Sequence, residues 1–190
     1  MALKRITAPT ETPVDLATAK AHVRVIGTAQ DSLITLYLEA ATANLDGKDG
    51  ILGRGIVTQT WDYSLDSFPS EAIEIPLPPL QSVTSIKYFD TTGVEQTLSS
   101  ARYFVDTASE PGWVVVDADG WPSTYDSANS VTIRFVCGYG AATAVPSSLK
   151  AAILLAVGDL LENRQTGTDK QIYTNDAADR LTYPYRMLGL

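Results

Sequence analysis

The chain has 190 residues, a hydrophobic fraction of 45% and a charged fraction of 19%, values that exclude disorder over most of its length and allow a buried core. Its net charge of -8 is concentrated in residues 57–137, which hold 3 basic and 11 acidic side chains, while the basic and acidic residues of the two flanks cancel. A surface of that sign repels phosphate backbones and argues against tight nucleic-acid binding.

At the start, Met1-Ala2-Leu3-Lys4-Arg5-Ile6-Thr7 lacks the apolar centre of a signal peptide, and no later run reaches the roughly 18 apolar residues that span a bilayer. An intracellular, soluble product without membrane contact is expected. Thr12-Pro13-Val14-Asp15 offers capping residues and a proline before a short helix, Leu16–Val23, ended by Gly27. Asp31 reads as the N-cap of a second helix. Ile34, Leu38, Ala41 and Leu45 recur there at helical spacing, with Leu33, Tyr37 and Ala40 widening the stripe, until Gly47 and Gly50 stop it.

From Val57 the period changes. Val57, Gln59, Trp61, Tyr63 and Leu65 fall on one face and Thr58, Thr60, Asp62, Ser64 and Asp66 on the other, the pattern of a half-buried antiparallel strand. Further strands are predicted over 72–76, 82–89, 94–98, 102–106, 113–117 and 130–137, separated by Pro76-Leu77-Pro78-Pro79, Asp90-Thr91-Thr92-Gly93, Glu110-Pro111-Gly112 and Asp119-Gly120 turns. Cys137, the one cysteine, excludes an intrachain disulfide and suits a small buried hydrophobe in its strand. A third helix is predicted over 147–164. Residues 151–158 carry no charge and put apolar side chains on every side, so this helix is expected to be packed all round. Residues 165–190 read as a mobile arm, yet Tyr183, Pro184, Tyr185, Arg186, Met187 and Leu188 gather the aromatic, cationic and aliphatic anchors of an interface hot spot.

Helices on either side of a β segment define an α+β fold: a helical core of two N-terminal helices plus a C-terminal helix, with an inserted antiparallel β-sheet or sandwich. The expected organisation is 1–56 for the N-terminal part of the core, 57–137 for the insertion, 138–164 for the C-terminal core helix and 165–190 for the arm.

Catalytic chemistry has no foothold. There is no Gly-x-Ser-x-Gly elbow, and the one histidine, His22, lies in a short amphipathic helix that suits a structural or surface role. Gly138-Tyr139-Gly140 lacks the third glycine of a dinucleotide fingerprint, since Thr143 stands there and Pro146 delays the helix. Asp46-Gly47-Lys48-Asp49-Gly50 and Asp117-Ala118-Asp119-Gly120 lack the full spacing and closing Glu of a calcium loop. No spacing among the acids of the β segment selects a carboxylate pair. No enzyme, cofactor or metal is expected. Trp61, Tyr63, Trp113 and Trp121 fit either a sandwich core or anchors for a partner.

The order of several short pieces resembles the head-tail connector (adaptor) proteins of tailed phages and of phage-derived gene transfer agents. These pieces are Pro13-Val14-Asp15-Leu16-Ala17-Thr18-Ala19-Lys20-Ala21-His22-Val23-Arg24-Val25, Asp31-Ser32-Leu33-Ile34 with Glu39-Ala40-Ala41-Thr42, and Gly53-Arg54 with Gln59-Thr60-Trp61. They continue with Leu77-Pro78-Pro79-Leu80-Gln81-Ser82-Val83, Gly138-Tyr139-Gly140 leading to Val145-Pro146, and Glu162-Asn163-Arg164. Family members often end in a Leu-rich stretch before Pro-Tyr-Arg; Leu181-Thr182-Tyr183-Pro184-Tyr185-Arg186 keeps the Pro-Tyr-Arg and loses one leucine.

The resemblance implies a ring, typically a dodecamer, beneath the portal protein, extending the DNA channel and docking the next neck or tail protein. Its implied partners are the portal, neighbouring copies and that next protein, with DNA passing unbound; its place is the virion neck, after assembly in the host cytoplasm. Arg164 joins Tyr183–Leu188 in the expected interface. The alternative from composition is a monomeric β-rich carbohydrate- or peptide-binding module.

Overall fold

The structure, a computed structural model, describes residues 1–163 and 176–187. Two units share the chain, one formed by Met1–Thr10 with Thr58–Tyr139 and the other by Glu11–Val57 with the chain from Gly140 onward. The α+β class is the observed one: four α-helices and eight strands in two antiparallel sheets among the described residues.

In the first unit, β1 (Ala2–Thr7), β2 (Gln59–Leu65), β8 (Val131–Cys137), β4 (Leu80–Phe89) and β5 (Glu95–Thr97) form one sheet in that order, and β3 (Ile73–Ile75), β7 (Gly112–Val116) and β6 (Tyr103–Asp106) form the other. The predicted strands all occur, with ends shifted by one or two residues. Alternation places their apolar sides between the sheets: Trp61 opposite Phe135, Tyr63 opposite Ile133 and Leu65 opposite Val131 on the larger sheet share a core with Ile73, Ile75 and Val114 of the smaller. The same register puts Asp62 opposite Arg134 on the outer face, where two parallel hydrogen bonds of 2.8 Å tie them. Asp62 therefore bridges β2 and β8, and Asp66 accepts the Asn129 N–H at 2.9 Å, so these two acids fasten neighbouring segments of the larger sheet.

Strand β1 was not legible in the sequence. It is an edge strand whose only partly buried residue is Leu3, so it lacks the alternation that a two-sided environment imposes. Because β1 joins the sheet, the first ten residues belong to the β unit, and the helical unit begins at Glu11 rather than at the chain start.

The β4–β5 hairpin turn is organised by Asp90, whose carboxylate accepts the Thr92 hydroxyl, the Gln96 amide and the Thr92 and Val94 N–H groups. These bonds, led by the Thr92 hydroxyl, hold its pKa at about 2, below the ordinary 3.8. A folded-state pKa below the unfolded one gives stability that is complete above the unfolded value and lost as pH falls toward the folded one. Protection of the Thr92 and Val94 amides, the exchange rate relative to that of an unstructured chain at the same pH, is therefore expected to hold down to about pH 4 and to fall between there and about pH 2. In Asp90→Ala, which removes the acceptor, protection of both amides should be low at every pH; an unchanged profile would remove this role.

The second unit contains α1 (Leu16–His22), α2 (Asp31–Leu45), α3 (Ser147–Glu162) and α4 (Asp176–Thr182). Asp15 caps α1 through the Thr18 N–H at 2.7 Å. Asp31 does not cap α2: Gln30 holds that position, and Asp31 pairs with Lys20 at 2.6 Å. Helix α2 buries Ile34, Leu38, Ala41 and Leu45 as its stripe predicts. Helix α3 departs from expectation. It packs on α1, α2 and α4, burying Leu149, Ala152, Ile153 and Val157, but Ala151, Leu154, Leu155 and Ala156 are only half-buried and Leu160 is exposed. Among the described residues full burial is confined to one side of this helix, so its apolar circumference does not become an all-round core.

The described part of the expected arm is folded. Residues 176–182 form α4 against α3, followed by a 3-10 turn at Tyr183–Tyr185. Seven residues of mixed polarity gave no helical signal, because this helix is set by its packing rather than by an apolar stripe of its own.

Candidate assembly surface

The C-terminal segment is fastened by a residue far away in sequence. After α2 the chain turns tightly: the Gly47 N–H donates to the Arg54 carbonyl at 2.8 Å and the Asp46 carboxylate accepts the Ile56 N–H at 2.8 Å. Gly50 permits this turn, since a Cβ there would lie 2.4 Å from the Leu45 carbonyl carbon. The turn carries Arg54 inward, where it is 5% exposed. From there its Nε donates to the Tyr185 carbonyl at 2.6 Å, a guanidinium nitrogen lies 3.7 Å from the Met187 sulfur, and the group sits 5.9 Å from the Tyr185 ring centre. The Met187 N–H adds a bond to the Leu52 carbonyl at 2.9 Å. One backbone hydrogen bond and a buried cation together lock Tyr185 and Met187 onto the 46–54 turn.

The expected interface residues therefore divide. Tyr185, Arg186 and Met187 are half-buried and have partners within the helical unit, Arg186 pairing with Asp179 at 2.8 Å. Tyr183, 68% exposed, and Pro184 face outward. Leu188 and Arg164 lie outside the described residues. Sequence reasoning missed Arg54 as a site residue, although it stood among the resembling pieces; its one signal is a cation between two glycines leading into the apolar Ile56-Val57.

Other sequence features have structural employment. His22 lies across Gly158 of α3, its ring nitrogen 3.7 Å from where a Cβ would stand. Asp46 supports its turn, and Asp117 binds Arg102 at 2.6 Å, an ion pair that holds its carboxyl below the usual range chiefly through that hydrogen bond. Gly138 and Gly140 bend the chain at φ 112° and 117° between β8 and a 3-10 turn. Of the four candidate anchors, Trp61 is buried, Tyr63, Trp113 and Trp121 half-buried, and Trp121 stacks on Phe68 at 4.7 Å. Large apolar side chains stand in solvent on both units: Phe104, 81% exposed, opposite Val115 on β6–β7, and Ile26 and Leu36, 98% and 57% exposed, on the helical unit.

No family model and no curated protein matches the chain. Solved structures do. A chain of the virion of a native gene transfer agent (GTA) particle superposes with a TM-score of 0.81 at 21% identity, over 100% of this chain and 97% of that one. Chains from the neck of an empty GTA particle, computed with C6 symmetry, and of a native GTA particle, computed with C12 symmetry, give TM-scores of 0.79 and 0.74 at 22% and 21% identity, with the same coverage. What is shared is the fold, end to end.

Proposed function

We propose that the chain is a structural subunit of the neck of a tailed phage or gene transfer agent: a head-tail connector that forms a ring beneath the portal, extends the DNA channel and docks the next neck or tail protein. The observation that carries this reading is the end-to-end fold match to chains of GTA virions and necks. Cyclic symmetry in those necks supports a ring of copies, and the solvent-exposed Phe104, Ile26, Leu36 and Tyr183 suit a chain whose surfaces are covered on assembly. The β unit holds 5 basic and 11 acidic residues, a balance of 5 - 11 = -6, which fits a surface that DNA passes without adhering. Nothing in this role calls for catalysis. Tyr183 and Pro184 are the residues offered to the portal, with assembly in the host cytoplasm preceding the mature virion.

The test is genetic and structural. Particles produced without the chain should be DNA-filled heads lacking tails, restored when it is supplied in trans, and averaged neck images should show it as a ring. Normally tailed particles in its absence, or its absence from purified particles, would overturn the reading. A monomeric binding module would rest on the groove of Phe68, Pro69, Trp121 and Pro122, where the Phe68–Trp121 stack already covers one face of each ring.

A further inference from the structure

The turn between α1 and α2 exposes an isoleucine on a braced support. Ile26 is 98% exposed, yet the backbone around it is held by several bonds. Arg24 and Gly27 take left-handed conformations at φ 56° and 80°, and the Val25 N–H donates to the Lys20 carbonyl at 3.0 Å. The Lys20 ammonium donates to the Gly27 carbonyl and pairs with Asp31 at 2.6 Å, tying the turn to the first residue of α2. A left-handed arginine is strained, and the strain is retained by contacts that point an apolar side chain at water.

The outer face of α2 is its counterpart. Helical spacing sets Leu36, Glu39, Ala40 and Ala43 opposite the buried Ile34, Leu38 and Ala41; all four are exposed, Leu36 by 57%, and half-buried Leu33 and Tyr37 extend the face. A helix face that meets only water carries several charges, and this one carries Glu39 alone. Arg24, exposed, stands two residues from Ile26. One surface thus offers an apolar anchor with a cation, the other an apolar seat with an anion. Complementary charge on two different surfaces of one chain suits a head-to-tail contact, and cyclic rings of more than two copies need contacts of that kind. The necks whose chains share this fold were computed with C6 and C12 symmetry.

We propose that the α1–α2 turn of one copy docks on the α2 face of the next, Ile26 seated among Leu36, Ala40 and Ala43, and Arg24 paired with Glu39. The occupant of the α2 face is a second copy of this chain, so the contact rests on the ring reading above and specifies how neighbours meet. The test is sedimentation velocity of the full chain across a wide concentration range. Arg24→Glu and Glu39→Arg should each weaken self-association about tenfold, and the two combined should restore it. Ile26→Glu should weaken it at least as much, with an unchanged melting curve, since an exposed side chain carries no monomer stability.

Oligomers indifferent to all these changes would overturn the contact and leave the ring reading in place. A chain that stays monomeric at every concentration is then examined by oxidising a mixture of Ile26→Cys and Ala40→Cys copies on a Cys137→Ser background. A cross-linked pair supports the contact; none overturns it, whereas the neck reading stands or falls separately on the particle images.

Discussion

Replacing Arg54 with alanine is expected to loosen residues 183–187 from the helical unit and to lower its thermal stability more than any exposed substitution does. The guanidinium is buried and serves the Tyr185 carbonyl, the Met187 sulfur and the Tyr185 ring. Hydrogen bonds from a charged donor contribute about 1.5–3 kcal/mol, and the acceptor left behind is desolvated without a partner, so a loss of about 2–4 kcal/mol follows. In a chain of this size each kcal/mol moves the midpoint by about 2–4 °C, giving a fall of roughly 5–15 °C. Arg54→Lys should recover little of it, because a lysine lacks the planar fork that reaches carbonyl and ring together. Calorimetry, with amide exchange at Tyr185–Met187 as the local readout, checks this; wild-type exchange in Arg54→Ala would show that the segment is held by something else. By the same logic, deleting residues 181–190 removes the partners of a buried cation and should destabilise the isolated chain, where an arm that orders only on binding would leave it unaffected.

The second large effect separates two neighbours in α3. Ile153 is fully buried, so Ile153→Asp sets an unpaired charge in the helical core at a cost of several kcal/mol, on the order of the whole stability of a domain. The helical unit should fail to fold. Leu154, one residue on, is half-buried, and Leu154→Asp should leave a folded chain with a midpoint lowered by about 1–2 kcal/mol equivalent. If Leu154 lies against a neighbouring copy, the cost appears in assembly instead. Circular dichroism of the two variants decides the matter: equal losses would mean that both sides of α3 are core.

The contrast between α3 and the β strands shows which inferences a one-dimensional pattern supports. Alternation in Gln59–Leu65 and Val131–Cys137 identified both the strands and their inward faces, because each strand meets core on one side and water on the other, and that asymmetry is written in every second residue. The stripe of α2 was equally legible. In α3 apolarity on all sides stated that the helix avoids water without stating what covers it, and among the described residues its fully buried side is the stripe of Leu149, Ala152, Ile153 and Val157.

What the sequence by itself determined was therefore the α+β class, the antiparallel β segment, the helical segments α1, α2 and α3 and the acidic bias of the β unit, all of which follow from local period, capping residues and composition. Tertiary structure alone decided that β1 pairs with β2, that α4 exists, and that Arg54 clamps Tyr185 across 131 positions of sequence. An edge strand with one neighbour, a helix of seven residues and a buried cation have no periodic signature, since each owes its place to a contact supplied by a distant part of the chain. The same reason splits the end of the chain into Tyr185–Met187, held by the helical unit, and Tyr183–Pro184, left to face outward: composition groups these residues together, and only their three-dimensional partners separate them.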